Sequence, residues 1–424
     1  MPAPTPLPTP TLKRELGRWD LTAIGVNQVI GGAVFALPAA LAASVAAWSP
    51  WMVGAIGVAS MLIALAFAEV SSRFDATGGS YLYTRVASWA AVINVLVSSL
   101  GFYWPSIATG VPRATLITTI IVLLTAINIR GIRLSSFVVN LLTFGKLLPL
   151  SVFVLAGIFF VDWSRLLPGP LPTVTALSSS GLLLIYAFGG YEVVPVPGGE
   201  SRNPRRDVPF ALIMTLAIVA VLMTLAQIVS VGTFPQLAES KTPLADSAVV
   251  FLGAGGAAMI TLGAVISATG NNMGGAISGS RNLFALAEQG DLPGVVGLVH
   301  RTYRTPVVAI LVTSVVALAL ALSGTFQTMA TASAISRLVL YVGTCASALR
   351  LRSRRFQGVV NPATFVVPFG PVIPLAAIVI ALTILAGASM LQLRNGALAL
   401  LAGAVLYAVA ARSRKIENLA ERTQ

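Results

Sequence analysis

Two stretches, Val29-Ile-Gly-Gly-Ala-Val-Phe-Ala-Leu-Pro38 and Tyr186-Ala-Phe-Gly-Gly-Tyr-Glu-Val-Val-Pro195, decide how the rest of the chain is read. Each lies inside an apolar run, over about 20–48 and 176–197, and each places a glycine pair one or two turns ahead of a proline. Glycine weakens a helix, and proline removes one of its hydrogen bonds. Hydrocarbon offers an unpaired backbone group no partner, so a break of this kind persists in a membrane only where it lines a protein cavity. Two interrupted segments at matching positions of two halves point to a transporter's binding site. The alternative is close helix packing through small residues. The pairing of the two breaks favours the site.

Composition makes this an integral membrane protein. Of 424 residues, 56% are apolar and only 10% charged. The first apolar run exceeds a signal-peptide core, so the tail 1–19, with Lys13, Arg14 and Arg18, reads as cytoplasmic and followed by a start-transfer helix. Cys345 is the only cysteine, which excludes an intramolecular disulfide. Its place in an apolar stretch also argues against a disulfide-linked accessory subunit.

About 20 apolar residues are needed to cross hydrocarbon. Twelve windows qualify, roughly 20–48, 51–71, 87–110, 113–129, 135–160, 176–197, 209–232, 248–279, 306–323, 327–349, 362–388 and 395–411. With the N-terminus inside, 21 of the 27 Lys and Arg residues fall in the cytoplasm. Four lie outside (Arg113, Arg165, Lys241, Arg394) and two within the membrane (Lys146, Arg337). Moving the frame by one helix destroys that asymmetry, so the net charge of +13 is topological and does not point to nucleic acid; the loop arginines read as solvated charges, with lipid headgroup contact as the secondary reading. Both termini then face the cytoplasm. The broken helices become the first and sixth, and helices 1–5 (20–160) and 6–10 (161–349) run in opposite directions, as an inverted repeat requires. Two further helices occupy 350–411, ahead of the tail 412–424.

Several segments carry further signals: Thr77-Gly-Gly-Ser-Tyr-Leu-Tyr83; Glu200-Ser-Arg-Asn-Pro-Arg-Arg-Asp-Val-Pro209; and Ser280-Arg-Asn-Leu-Phe-Ala-Leu-Ala-Glu-Gln-Gly-Asp-Leu-Pro293, read as the loop after helix eight. Together with the two breaks, these motifs resemble those of the amino acid–polyamine–organocation transporters. The breaks are similar to that family's G-[S/G]-[G/A]-I-F-x-L-P and F-x-G-x-E, and the loops to its K-N-P-x-R-x-I-P and S-R-x-L-Y-A-M-A-R-D-G-x-L-P. Ala33 stands where the family has a second glycine. Pro197-Gly-Gly-Glu200 replaces its A-x-E-E, a change expected to bear on gating more than on substrate choice. The resemblance implies an all-α integral membrane fold of the leucine-transporter type: a 5+5 inverted repeat with helices 1 and 6 broken, plus two C-terminal helices.

It also implies where an amino acid's main-chain groups bind. Backbone N–H groups of Gly31, Gly32 and Ala33, at the positive end of the next half-helix, suit a carboxylate. Carbonyls of Gln28, Val29, Tyr186, Phe188 and Gly189, with Gly190 admitting close approach, suit an ammonium. Tyr186 matches a family aromatic that closes over substrate; an aromatic packed in the core or at the lipid interface is the alternative.

Lys146, in Phe144-Gly-Lys-Leu-Leu-Pro149, lies too deep to snorkel, which makes it a functional candidate. By resemblance its ammonium stands where sodium-coupled relatives hold sodium, which implies proton coupling or ion-independent exchange. A fixed structural cation between helices one, five and eight is the other reading. Glu192 is a proton-relay candidate, either protonated or paired. Arg337 is expected to pair with Glu192 across the cavity or to contact an acidic substrate group. Asp20 and Glu69 read as ordinary interfacial charges, and Ser267, Asn271 and Asn272 as helix–helix hydrogen-bonding groups. The lone His300 has no second ligand near it, so no metal is expected. No cofactor and no catalytic constellation is evident, so an enzyme is disfavoured. The expected function is secondary-active amino acid transport at the plasma membrane by alternating access, with a proton as co-substrate and a neutral substrate favoured because Glu192 is the lone cavity carboxylate. An amino acid or polyamine exchanger and a non-transporting amino acid sensor are the alternatives.

Overall fold

A computed structural model describes residues 12–74, 104–107, 109–288, 290, 292–323, 326–353 and 360–387, with isolated positions between 93 and 100 and between 390 and 401. The Thr77–Tyr83 motif, most of the expected third and twelfth helices, residues 1–11 of the N-terminal tail and the C-terminal tail lie outside them. The described chain is helical, with no strand beyond one isolated bridge between Leu16 and Ser201. Eleven α-helices follow in order: α1 (Arg18–Val29), α2 (Ala33–Val45), α3 (Ser49–Ser71), α4 (Gly110–Ile129), α5 (Ile132–Gly157), α6 (Val174–Phe188), α7 (Pro204–Thr233), α8 (Pro243–Glu288), α9 (Val307–Ser323), α10 (Phe326–Leu351) and α11 (Val372–Ala386). Among the described residues six helical runs are long and apolar enough to cross a membrane, and two more, at 307–322 and 372–386, are apolar but shorter. Large apolar side chains such as Phe137, Phe144, Leu148 and Leu155 of α5 face outward, which suits a hydrocarbon surround.

Both expected breaks are present. α1 stops at Val29 and α2 resumes at Ala33. Between them Gly31 N–H turns back onto the Val29 carbonyl at 2.8 Å. α6 ends at Phe188, Gly189 is extended and Gly190 has φ of +130°. That left-handed value, and a neighbour that leaves no room for a Cβ, fix glycine there. Pro195 and Pro197 then deny the next stretch the N–H groups an α-helix needs. In place of a second α-helical leg the chain runs as 3-10 turns at Tyr191–Val193 and Gly198–Glu200, through i→i−3 bonds from Val193 to Ser201.

Two segments differ from the sequence expectation. α8 is 46 residues long, some 69 Å at 1.5 Å per residue and more than twice the hydrocarbon thickness. Gly253, with φ of 64° and ψ of −162°, interrupts it, and helix also continues through Ser280–Glu288, read from sequence as loop. α7 likewise starts at Pro204, with Pro at its first position and Asp207 in its first turn accepting from Asn203 N–H at 3.1 Å.

Two acids expected to be ordinary interfacial charges are structural. Asp20 Oδ2 accepts Gly17 N–H at 2.8 Å and Oδ1 accepts Asn140 Nδ2 at 2.7 Å, capping α1 and tying it to α5. Glu69 is fully buried. It accepts Arg352 Nε at 2.7 Å and Val367 N–H at 2.9 Å, and is ion-paired with Arg73 at 3.5 Å. The end of α3, the end of α10 and the segment before α11 thus meet on one carboxylate. α3 packs along α7 and α5 along α8, while α1 lies among α5, α7 and α8.

Candidate functional site

The two breaks touch each other. A Cβ at Gly190 would sit 2.7 Å from the Gln28 carbonyl oxygen and 3.0 Å from Val29 N. On the other side of α1, Gly274 of α8 admits the Gln28 side chain, and Gly31 faces Asn271 Nδ2. Small residues on three segments let the two main chains approach closely.

The first break is laced to α5 and α8 by polar groups. Lys146 is fully buried, and its ammonium donates to the carbonyls of Ile30 (2.7 Å), Asn27 (3.0 Å) and Ser267 (3.3 Å). Ser267 Oγ also donates to the Ile30 carbonyl, at 2.7 Å. Gln28 Nε2 donates to the Asn271 carbonyl at 2.8 Å, and Asn271 Nδ2 donates to the Gln28 carbonyl at 2.9 Å. Asn27 Nδ2 donates to the Gly270 carbonyl at 2.5 Å. Carbonyls that the break frees are therefore occupied by a cation and by amides, as burial without water demands. Ser267 and Asn271 serve the helix–helix role expected of them; Asn272 Nδ2 instead donates to Ala268 within α8.

These bonds bear on the main-chain groups assigned to a substrate. Gln28 accepts from Asn271, Val29 from Gly31 N–H, and Tyr186 from Gly189 N–H at 3.1 Å. Each carbonyl keeps a second lone pair. Gly31 N–H is likewise spent on Val29, and at the start of α2 Val34 and Phe35 N–H donate to the Gly31 and Gly32 carbonyls at 3.3 and 3.2 Å, which leaves the N–H groups of Gly32 and Ala33 as the candidates for a carboxylate there. The Phe188 side chain is fully buried against Gly57 of α3, so that only its main chain is a candidate for contact.

At the second break the structure brings Glu192, Arg337 and Tyr186 together. Glu192 Oε1 is 3.1 Å from Arg337 Nε, with their side chains 1% and 11% exposed. Glu192 Oε2 accepts Gly190 N–H at 2.8 Å and Tyr341 Oη at 3.3 Å. The Arg337 guanidinium lies 5.8 Å from the Tyr186 ring centroid and fills the space that a side chain at Gly189 would need. Below it, Tyr191 stacks on Tyr341 at 5.6 Å, and Phe67 meets both edge-on.

Sequence reading missed the charges at the end of the bundle where the N-terminal segment lies. Arg281, counted as a loop charge, is fully buried and donates through Nε and Nη2 to Glu200 Oε2 and Oε1 at 3.0 and 3.2 Å. The signal available was that no proline stands between Asn272 and Arg281, nine residues on, so nothing there forces α8 to end. The cap of His300 was also unread: its Nδ1 accepts Thr302 and Tyr303 N–H at 3.2 Å.

Two broken helices thus meet beside a buried lysine and a buried acid–arginine pair in an apolar helical bundle. The family model described as amino acid permease matches residues 86–409, and the chain belongs to that family. An uncharacterized transporter of Mycobacterium tuberculosis is 30% identical over 363 residues, covering 80% of this chain and 81% of that one. The methylthioribose transporter of Bacillus subtilis is 26% identical over 405 residues, 86% of each chain. The serine/threonine exchanger SteT of the same organism is 28% identical over 398 residues, 87% and 89%.

Proposed function

We propose that the protein is a secondary-active transporter of neutral amino acids in the plasma membrane, with both termini cytoplasmic, twelve spans and a leucine-transporter-type inverted repeat. The observation that carries the substrate class is the Glu192–Arg337 pair. A cationic amino acid needs a free carboxylate and an acidic one a free cation; here each charge is neutralised by the other beside the second break. What the breaks then offer is main chain: N–H groups at the start of α2 for a carboxylate, and the carbonyls of Phe188 and Gly189, with the second lone pairs of Gln28, Val29 and Tyr186, for an ammonium. Tyr186, held by Arg337, closes over the substrate. The named substrates of the two characterised relatives, serine or threonine and methylthioribose, carry no charged side group, which agrees with this class.

Lys146 is the coupling residue in this reading. Protonated, it binds the end of α1 to α5 and α8 through three carbonyls. Loss of its proton removes that cation and releases α1 to move with the second break. A second reading, obligatory exchange with Lys146 as a fixed structural cation, is supported by the relative named as an exchanger.

The test is uptake into proteoliposomes of labelled neutral, acidic and cationic amino acids, each with an inward proton gradient and with amino acid preloaded inside. Neutral substrates taken up under the gradient alone support symport, and uptake requiring internal amino acid supports exchange. Preference for a charged substrate, or binding without uptake, refutes the proposal.

A further inference from the structure

Ahead of α1 the chain forms a strap across one end of α8. Leu12 packs with Leu283 and Phe284 of α8, and Leu16 is 1% exposed. Glu15 and Leu16 N–H both donate to the Glu200 carbonyl at 2.9 Å, and Arg202 N–H donates back to the Leu16 carbonyl at 2.9 Å. The segment after the second break is thus stitched to the segment before the first. The side chain of the same Glu200 turns inward to the two-pronged pair with Arg281 of α8, both residues being 0% exposed. Arg281 Nη1 also donates to Asn128 Oδ1 of α4 at 2.5 Å and to Ser280 Oγ at 3.0 Å.

We propose that Glu200 and Arg281 form a latch that holds the N-terminal face of the transporter shut, joining the two mobile segments to the α4–α8 scaffold. The inference rests on the alternating-access reading, in which the broken helices move against α8. Any such opening on this face pulls Glu200, with the strap hydrogen-bonded to its main chain, away from Arg281. An ion pair suits this position because its two states are closely balanced. Buried, the charges are matched prong to prong; parted, each is hydrated, so water entering the open path offsets the lost pairing. An apolar contact of the same area offers no such return. Removing one partner leaves the other charge buried and unmatched, so either single substitution favours the open state, whereas removing both does not.

The test is cysteine accessibility, which needs no substrate, so a wrong assignment of substrate or coupling leaves it interpretable. Ser201, buried beside the strap, is replaced in a Ser201→Cys, Cys345→Ser chain, and alkylation by N-ethylmaleimide is timed in proteoliposomes. The latch predicts slow labelling with the native pair and labelling faster by at least about tenfold in Glu200→Gln and in Arg281→Gln. In the double variant the rate falls back towards the native one. The native Cys345, buried in α10, reports on global unfolding in parallel chains that retain Ser201. Native labelling rates in both single variants, strictly additive effects in the double variant, or an equal rise at Cys345 would each overturn the proposal.

Discussion

The ammonium of Lys146 lies 2.7 Å from the carbonyl oxygen of Ile30, the residue at which α1 loses its helical hydrogen bonding. One side chain therefore satisfies the break and ties it to the scaffold. Lys146→Met keeps volume but leaves the Asn27, Ile30 and Ser267 carbonyls short of a donor. Each orphaned group costs about 1–3 kcal/mol, with Ser267 Oγ still serving Ile30. We expect a lowered melting temperature and uptake that no longer responds to a proton gradient; unaltered gradient dependence would assign Lys146 a purely structural role.

The Glu192–Arg337 pair predicts a change of selectivity that a structural ion pair would not give. Arg337→Gln releases the Glu192 carboxylate, so lysine and arginine become inhibitors of neutral amino acid uptake. Glu192→Gln releases the guanidinium and admits aspartate or glutamate. Each single variant loses about 3–5 kcal/mol of stability and the double variant much less. Competition assays on the three variants decide between these outcomes and a uniform loss of binding.

Gly190→Ala places a Cβ 2.7 Å from the Gln28 carbonyl oxygen at a φ of +130°, a strain of about 1–3 kcal/mol even before the clash. Transport is expected to fall by at least tenfold, since the two breaks are forced apart. Gly181→Ala, in α6 with open space around it, should instead leave uptake intact and gain up to about 1 kcal/mol of helix stability. Equal behaviour of the two variants would remove the contact between the breaks from the mechanism.

Glu69 gives a contrasting prediction. Glu69→Gln leaves Arg352 and Arg73 without their shared counter-charge, and should lower thermal stability while leaving the substrate profile unchanged. Thermal unfolding in detergent, followed together with competition by a panel of amino acids, separates the two effects.

What sequence conveyed follows from where hydrocarbon makes a feature costly. Glycine pairs and prolines in apolar runs, and a lysine about ten residues inside one, are so unfavourable that they stand out in the sequence, and the structure places Lys146 against the first break and Glu192 and Arg337 against the second, with Gly190 touching Gln28. Features near helix ends lacked that signal. Arg281 and Glu69 have the flanking pattern of interfacial charges, and only tertiary packing shows that each is buried on a partner distant in sequence, Glu200 and Arg352. The same holds for the carbonyls of Gln28 and Val29. Sequence marks them as released by the break but cannot show that Asn271 and Gly31 already use them. Gly253 was unreadable as an interruption because small residues also pass through uninterrupted helix in the rest of α8.

The most direct measurement of the central claim is uptake of labelled neutral amino acid into proteoliposomes, with and without an inward proton gradient, in the native protein and in Lys146→Ala. Gradient-driven accumulation is expected in the native protein and its loss in the variant, with residual equilibrative uptake at most. Accumulation that ignores the gradient in the native protein, or survives unchanged in Lys146→Ala, would contradict it.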